Sequence, residues 1–336
     1  MYGILKSLLF RMDAEAAHRL VCFLVTVFSK FPGFLKWISS SHDTERPVDL
    51  LGMRFRNPVG LAAGFDKDAR LVKYLPELGF GFVEVGTVTL KPQVGNKRPR
   101  LFRFPEEKSL FNRMGFNSEG AGNVSERIRK ARREIPENFR VGVNIGKNKD
   151  TPNLHAADEY AVCVSFFEGL ADYLVINISS PNTSGLRDLQ TPKQIQEIVS
   201  RVRQVTRTWK TKPPIFVKLA PELNTAGLKE LASEMDQLEI DGLVLTNTLG
   251  GEFNGQSGGW SGEKVKVLSR EALQIARANT KKPIISVGGI DGQEEAELRF
   301  QLGASLLQIY SAWIFKGPAL LKEILLKDKT HSSSDM

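Results

Sequence analysis

The stretch Tyr173 to Thr206, YLVINISSPNTSGLRDLQTPKQIQEIVSRVRQVT, decides the fold. It begins with a short apolar run, Tyr173 to Ser180, that closes on amides and hydroxyls, and continues into a segment, 191–209, long enough for a helix. The same unit recurs on either side. Eight such runs, bounded by Gly, Pro or Asn, follow one another: Val59 to Phe65, Phe82 to Thr89, Val141 to Lys147, Tyr173 to Ser180, Ile215 to Pro221, Gly242 to Thr248, Ile284 to Ile290 and Leu306 to Ala312. Helix-length segments lie between and around them at 67–79, 118–134, 154–171, 191–209, 224–238, 265–280 and 292–302. Runs that are apolar almost throughout suit burial on both faces, as in a parallel sheet. Eight units over about 250 residues suit a closed (β/α)8 TIM barrel. An open doubly wound sheet is the alternative. Against it stand the absence of a G-x-G-x-x-G turn after the first strand and the polar residues after all eight strands instead of at one switch point. Pro47 to Asn57, with two short alternating runs around Leu51-Gly52, reads as a hairpin closing the barrel bottom.

The bulk composition agrees with a globular chain: 336 residues, 41% hydrophobic and 25% charged. Forty-six Lys and Arg against 38 Asp and Glu give a net charge of +8, which favours anionic partners. Cys22 and Cys163 lie far apart in apolar stretches, so neither a disulfide framework nor a metal site is expected. The four histidines, His18, His42, His155 and His331, show no metal-ligand spacing. The basic stretch Lys97 to Arg103 has no aromatic or motif support for nucleic-acid binding.

Residues 1–40 are apolar, but their longest uncharged run, Leu20 to Ser29, is about half of what a spanning helix needs. No small-residue cleavage site follows an uninterrupted apolar core, so a signal peptide is not expected either. Two helices are. Ile4, Leu5, Leu8 and Leu9 share one face of the first. The second starts after the N-cap Asp13, carries Ala17, Leu20, Val21, Leu24, Val25 and Phe28 at i, i+3, i+4 spacing, and ends at Pro32-Gly33. Lys6, Arg11, Arg19, Lys30 and Lys36 against Asp13 and Glu15 suit an anionic bilayer surface; a hairpin packed on its own domain suits the same pattern.

In a barrel of this kind the C-terminal strand ends face the active site. Those ends read Ala63-Gly64-Phe65-Asp66-Lys67, Glu84 to Thr87, Asn144 to Lys147, Asn177 to Asn182, Lys218, Thr246-Asn247-Thr248, Gly288-Gly289 and Tyr310-Ser311. Asn offers donor and acceptor without charge, which suits a planar ring with alternating C=O and N–H groups. Glycines and hydroxyls after the last two strands suit a phosphate, and the run Gly258 to Gly262 reads as a further donor loop or a merely flexible one. Lys218, inside an apolar strand, needs an anion: an ion-pair partner or a ligand that becomes negative during turnover. Lys67 or Lys218 as a Schiff-base nucleophile on the same barrel is a competing reading.

Taken in order, GLAAGFDKD (60–68), EVGTVT (84–89), PRLFR (99–103), NRMGFNS (112–118), NIGKNKDT (144–151), NISSPNT (177–183), VKLAP (217–221), TNT (246–248), SVGGI (286–290) and QIYSA (308–312) resemble the dihydroorotate dehydrogenase family in its membrane-associated, quinone-reducing class. The resemblance implies one FMN per chain, held by Ala63, Gly64, Phe65, Asp66, Lys67, Thr87, Asn144, Asn177, Lys218, Thr246, Gly262, Gly289, Tyr310 and Ser311. It implies dihydroorotate or orotate at Lys67, Asn112, Arg113, Met114, Gly115, Phe116, Asn177, Asn182, Asn247 and Thr248. Ser180 is implied as the catalytic base where soluble classes carry cysteine, with Thr183 and a water sheltered by Phe116 as relay partners.

A quinone site at His18, Arg103 and Tyr310 is implied too. It makes residues 1–40 a helical domain for quinone access and lipid contact, and 41–336 the catalytic barrel. The implied place is peripheral, at the cytoplasmic face of a bacterial membrane, with no metal and no nucleic acid. Trp260 and Trp313 stand where smaller residues are common in the family, and Leu249 to Ser257 departs from its usual continuation after TNT.

Overall fold

The computed structural model describes residues 2–31, 33–39 and 44–325. His42, His331, the tail Ser332 to Met336 and the expected boundary at 40/41 lie outside them, as does Pro32. The chain opens with helices α1 (Tyr2–Leu9), α2 (Ala14–Phe28) and α3 (Phe34–Ser39). Asp13 caps α2 as expected, its carboxylate accepting the Ala16 N–H at 2.8 Å. The helix stops at Phe28, before the Pro32-Gly33 pair, and α3 was not anticipated. The apolar faces are only partly covered: Leu9 and Ala17 are buried, while Leu5, Leu8 and Leu20 are exposed.

A hairpin of β1 (Val48–Leu50) and β2 (Met53–Phe55) follows, in the Val48↔Phe55 register. Then come eight parallel strands that close on themselves: β3 (Val59–Leu61), β4 (Phe82–Val88), β7 (Arg140–Ile145), β8 (Tyr173–Asn177), β9 (Ile215–Leu219), β10 (Gly242–Leu245), β13 (Ile284–Val287) and β14 (Leu306–Ile309). The closed order is the sequence order, with β14 pairing β3 and β9 pairing β10. Helices α4 (Ala121–Ala131), α5 (Ala156–Ser165), α6 (Pro192–Thr206), α7 (Thr225–Ser233), α8 (Lys266–Asn279) and α9 (Gln293–Gln301) connect them, and α10 (Ser311–Lys316) and α11 (Leu320–Leu325) follow the last strand. The amphipathic logic is plain in α6, where Ile195, Ile198, Val199 and Val202 are buried on one face. Each such side chain stabilises the ring by about 2 kcal/mol.

Three expectations change. Most strands end two to four residues early, because the polar residues that follow turn out of the ladder into loops. Residues 67–79 form only a single 3-10 turn, Val72–Tyr74. Asp66 explains this: its carboxylate takes the N–H groups of Arg70 (2.7 Å) and Leu71 (2.8 Å), and Ala69 is left-handed at φ 58°. The glycine-rich segment near 258–262 is strand, not loop. Strands β5 (Leu101–Phe104), β6 (Ser109–Asn112), β11 (Leu249–Phe253) and β12 (Gln256–Gly262) build a separate antiparallel sheet in the order β11-β12-β6-β5. One of its faces stacks Phe102, Phe104, Phe111, Phe253 and Trp260, with ring centroids about 5–6 Å apart. Trp313 packs edge-on against Phe80, at 4.9 Å.

The bottom of the barrel is filled by aromatic rings, each lying over a glycine on the neighbouring strand. Phe82 pairs with Gly60, Tyr173 with Gly142 and Phe216 with Gly242. A Cβ added at any of the three glycines would come within 2.4 Å of the facing ring. Phe55 of the hairpin caps this layer, its ring 5.4 Å from that of Phe82, which confirms the hairpin as the barrel's lower closure.

Candidate active site

The upper end of the same barrel is polar. Glu84 on β4 is fully buried, and a lone carboxylate there would be untenable. It accepts three donors from three strands: Asn144 Nδ2 on β7 (2.7 Å), Lys218 Nζ on β9 (3.1 Å) and Gln308 Nε2 on β14 (2.6 Å). The partner that Lys218 requires is therefore Glu84, while Lys218 also lines the cavity above.

Over this floor the amides satisfy one another. Thr87 Oγ1 donates to Asn144 Oδ1 at 2.6 Å, and Asn177 Nδ2 donates to Thr87 Oγ1 (2.9 Å) and Asn144 Oδ1 (3.0 Å). Asn177 Oδ1 in turn accepts Ser179 Oγ (3.1 Å) and Asn247 Nδ2 (3.3 Å). Each amide is thereby fixed in one orientation. Nearer the rim, Asn182 Nδ2 donates to Asn112 Oδ1 (2.9 Å), and Asn112 Nδ2 to the Gly259 carbonyl (3.2 Å), so the extra sheet becomes a wall of the site.

Ser180 is buried where this wall meets the strand end, and its Oγ accepts the Asn182 N–H at 3.2 Å. It lines the central cavity and also an outer cleft that it shares with Thr183, Arg187 and Gly250. Lys67 reaches in from the other side and donates to the Gly64 carbonyl at 2.7 Å. Burial pulls its ammonium down to about 8, Asp68 opposing the effect.

Of the residues expected at a cofactor, Ala63, Gly64, Lys67, Thr87, Asn177, Lys218, Thr246, Gly262, Gly289, Tyr310 and Ser311 line the cavity. Asn144 sits beneath it as support. Phe65 and Asp66 lie behind it, and burial pushes the Asp66 carboxyl up to about 6 despite its two backbone donors. Of those expected at a substrate, Asn112, Met114, Gly115, Phe116, Asn182, Asn247 and Thr248 line the cavity, and Arg113 does not. Sequence reasoning missed Gln308, Leu101, Leu110 and Lys108, also in the lining. The alternation Phe102/Phe104 around Arg103 was the available signal for the strand that carries Leu101.

His18, on α2, meets the ring of Phe65 edge-on at 4.7 Å, and Phe65 meets Tyr310 at 5.5 Å, so an aromatic bridge runs from the extension to the cavity wall. Burial holds the His18 imidazole down at about 4, with Lys67 adding to the effect, and it is neutral at physiological pH. Arg103 is placed differently. It donates to the carbonyls of Leu9 (3.1 Å) and Met12 at the end of α1 and lies over the Phe10 ring. Among the described residues no three His, Cys, Asp or Glu side chains gather as a metal site.

Residues 47–329 match the family model described as dihydroorotate dehydrogenase. A protein of Nitratiruptor sp. named dihydroorotate dehydrogenase (quinone) is 42% identical over 339 residues, covering 96% of this chain and 92% of that one. One of the same name from Christiangramia forsetii is 39% identical, covering 96% of both. Among solved structures, DHODH of Eimeria tenella in complex with ferulenol superposes with a TM-score of 0.85 at 35% identity, over 93% of this chain and 90% of that chain. With its polar strand ends gathered over one buried carboxylate and its near-complete match to these relatives, the chain belongs to the dihydroorotate dehydrogenase family.

Proposed function

We propose that this chain oxidises dihydroorotate to orotate and passes the electrons to a quinone, a step of pyrimidine biosynthesis. The observation that carries the reading is Ser180, a hydroxyl set into the wall of a cavity whose amides already face a common centre.

The family is generally flavin-dependent, and FMN is the flavin we assign. The residues fit such a group. Gln308 Oε1 is buried without a hydrogen-bond partner in a residue of the lining. Gly288 and Gly289, at φ 118° and 75°, bring bare backbone to the rim as a phosphate requires. Lys218, Thr87, Asn177, Thr246, Gly262, Gly289, Tyr310 and Ser311 would hold it, with Asn144 and Glu84 fixing the floor. When bound, the flavin supplies a two-electron acceptor for the hydride and a donor for the quinone.

The chain's own residues do the rest. Lys67 pairs with the substrate carboxylate. Asn112, Asn177, Asn182 and Asn247 match the ring's C=O and N–H groups and hold it in register, which accounts for much of the acceleration through positioning. Ser180 Oγ removes the ring proton. A serine is a weak base, and the Asn182 N–H aimed at Oγ stabilises the charge that develops there. Thr183, buried on the outer cleft beside Ser180, passes the proton toward solvent.

Residues 1–40 supply quinone access and lipid contact in this reading, with His18, Arg103 and Tyr310 at the quinone. Two features support it: the basic excess of the segment, and Leu8, Phe23 and Trp37, each about 60% exposed. No described helix is long and apolar enough to cross a membrane, and the place assigned is peripheral, on the cytoplasmic side of the bacterial membrane. One anaerobic experiment tests the whole. The purified protein is expected to be yellow, to bleach with dihydroorotate and to recolour with quinone. A colourless protein trapped by borohydride on a carbonyl substrate would overturn it.

A further inference from the structure

Arg187 lies outside the ring-binding cavity, in the short turn Leu186–Leu189 that borders the outer cleft. Its guanidinium nevertheless contacts three strand-end loops at once. Nε donates to the carbonyl of Ser179 at 3.0 Å, Nη1 to Glu222 Oε1 at 2.9 Å, and Nη2 to the carbonyl of Thr248 at 3.1 Å. Ser179 adjoins Ser180, and Thr248 adjoins Asn247. Glu222 also accepts the Gly250 N–H at the start of β11. A Cβ at Gly250 would lie 2.7 Å from Glu222 and 3.1 Å from Arg187, so the strand comes this close because the residue is glycine.

We propose that Arg187 is a positioning residue for the dehydrogenation step: it ties the Ser180 segment to the Asn247-Thr248 segment and sets the distance between the base and the amides that hold the ring. Backbone pairing cannot join the two segments directly, because β9 lies between β8 and β10; apart from Arg187, the ties between them are Asn247 Nδ2 to Asn177 Oδ1 (3.3 Å) and to Ser179 Oγ (3.0 Å). A planar fork with five fixed donors can span three acceptors in different directions; a lysine ammonium on a flexible stem keeps the charge but not the geometry. Glu222 fixes the fork from its far side, and the half-exposed pair contributes little stability of its own. Its effect is on register, where an error of about 1 Å costs about a hundredfold in rate.

The inference rests on the reaction assigned above. Its test uses the full-length, flavin-loaded protein and the variants Arg187→Lys and Glu222→Ala. Stopped-flow measurements at saturating dihydroorotate follow flavin bleaching, and separate mixing with quinone follows reoxidation. Arg187→Lys is expected to bleach ten- to a hundredfold more slowly and Glu222→Ala three- to tenfold more slowly, with flavin content and reoxidation rate unchanged. Bleaching at the wild-type rate in either variant overturns the role, and so does an equal slowing of both half-reactions, the mark of a merely structural residue. A wild-type protein that fails to bleach sinks the reaction itself. A wild-type that bleaches with variants keeping pace sinks only Arg187.

Discussion

At the barrel mouth, Asn177 bonds side chains from four different loops or strands, and every one of those partners is itself held by another. Helix α2 meets the barrel differently. Its main polar anchor is Glu15, gripped by Arg100 through two bonds of 2.9 and 3.1 Å and by Arg98 at 2.9 Å, while most of its apolar residues are only half covered. The contrast teaches that rigidity is concentrated where atoms must be aligned. At α2 the structure relies instead on a few charged clasps. The two regions should accordingly respond to different perturbations.

Removing residues 1–40 is the strongest way to break the comparison. Quinone reduction and binding to anionic vesicles are expected to vanish while bleaching by dihydroorotate persists; full quinone turnover in the truncated protein would show that the extension is not the acceptor's route. Ser180→Ala attacks the other side. Flavin content should hold and bleaching should slow about 10²- to 10⁴-fold, the usual worth of a general base, as read by stopped-flow absorbance.

Glu15→Ala leaves Arg100 with only the carbonyls of Val94 and Asn96, and loosening the buried clasp should cost about 3 kcal/mol of docking. Hydrogen exchange should rise in α2 and not in β8, and equal rises in both would erase the distinction between the regions. Substrate affinity supplies the smallest effect. Burial lowers the Lys67 ammonium to about 8, so with Lys67 on the substrate carboxylate, as proposed, the dissociation constant for dihydroorotate should climb up to tenfold per pH unit above that value. A flat titration between pH 7 and 9.5 would remove Lys67 from the substrate.

The barrel and most of its polar strand ends were legible because both signals are local: an apolar run, then a turn rich in Asn, Gly and Thr. The extra sheet was not. Phe111 reaches Trp260 across some 150 residues of sequence, and β12 carries three glycines, a composition that reads as loop until a partner strand lies alongside. Glu84 could be seen as a polar strand-end residue but not as the carboxylate that joins three strands, since that depends on barrel closure. Arg103 carries a contact that its motif did not signal, a bond to the Leu9 carbonyl at the end of α1. Arg187 carried no signal at all, because its three acceptors are backbone and side-chain oxygens brought together only by folding.

The paired layer at the barrel bottom has a consequence for how such a chain can change over generations. Gly60 cannot gain even a methyl group until Phe82 has shrunk, and Phe82 cannot shrink without opening a void that only a larger neighbour would fill; the same bind couples Gly142 to Tyr173 and Gly242 to Phe216. Drift at that end must therefore proceed by compensated double steps. The mouth has locks of its own, since a Cβ at Gly259 would meet Thr248 at 2.1 Å and one at Gly146 would meet Phe116 at 2.6 Å, so change at either end of the barrel is coupled between neighbours.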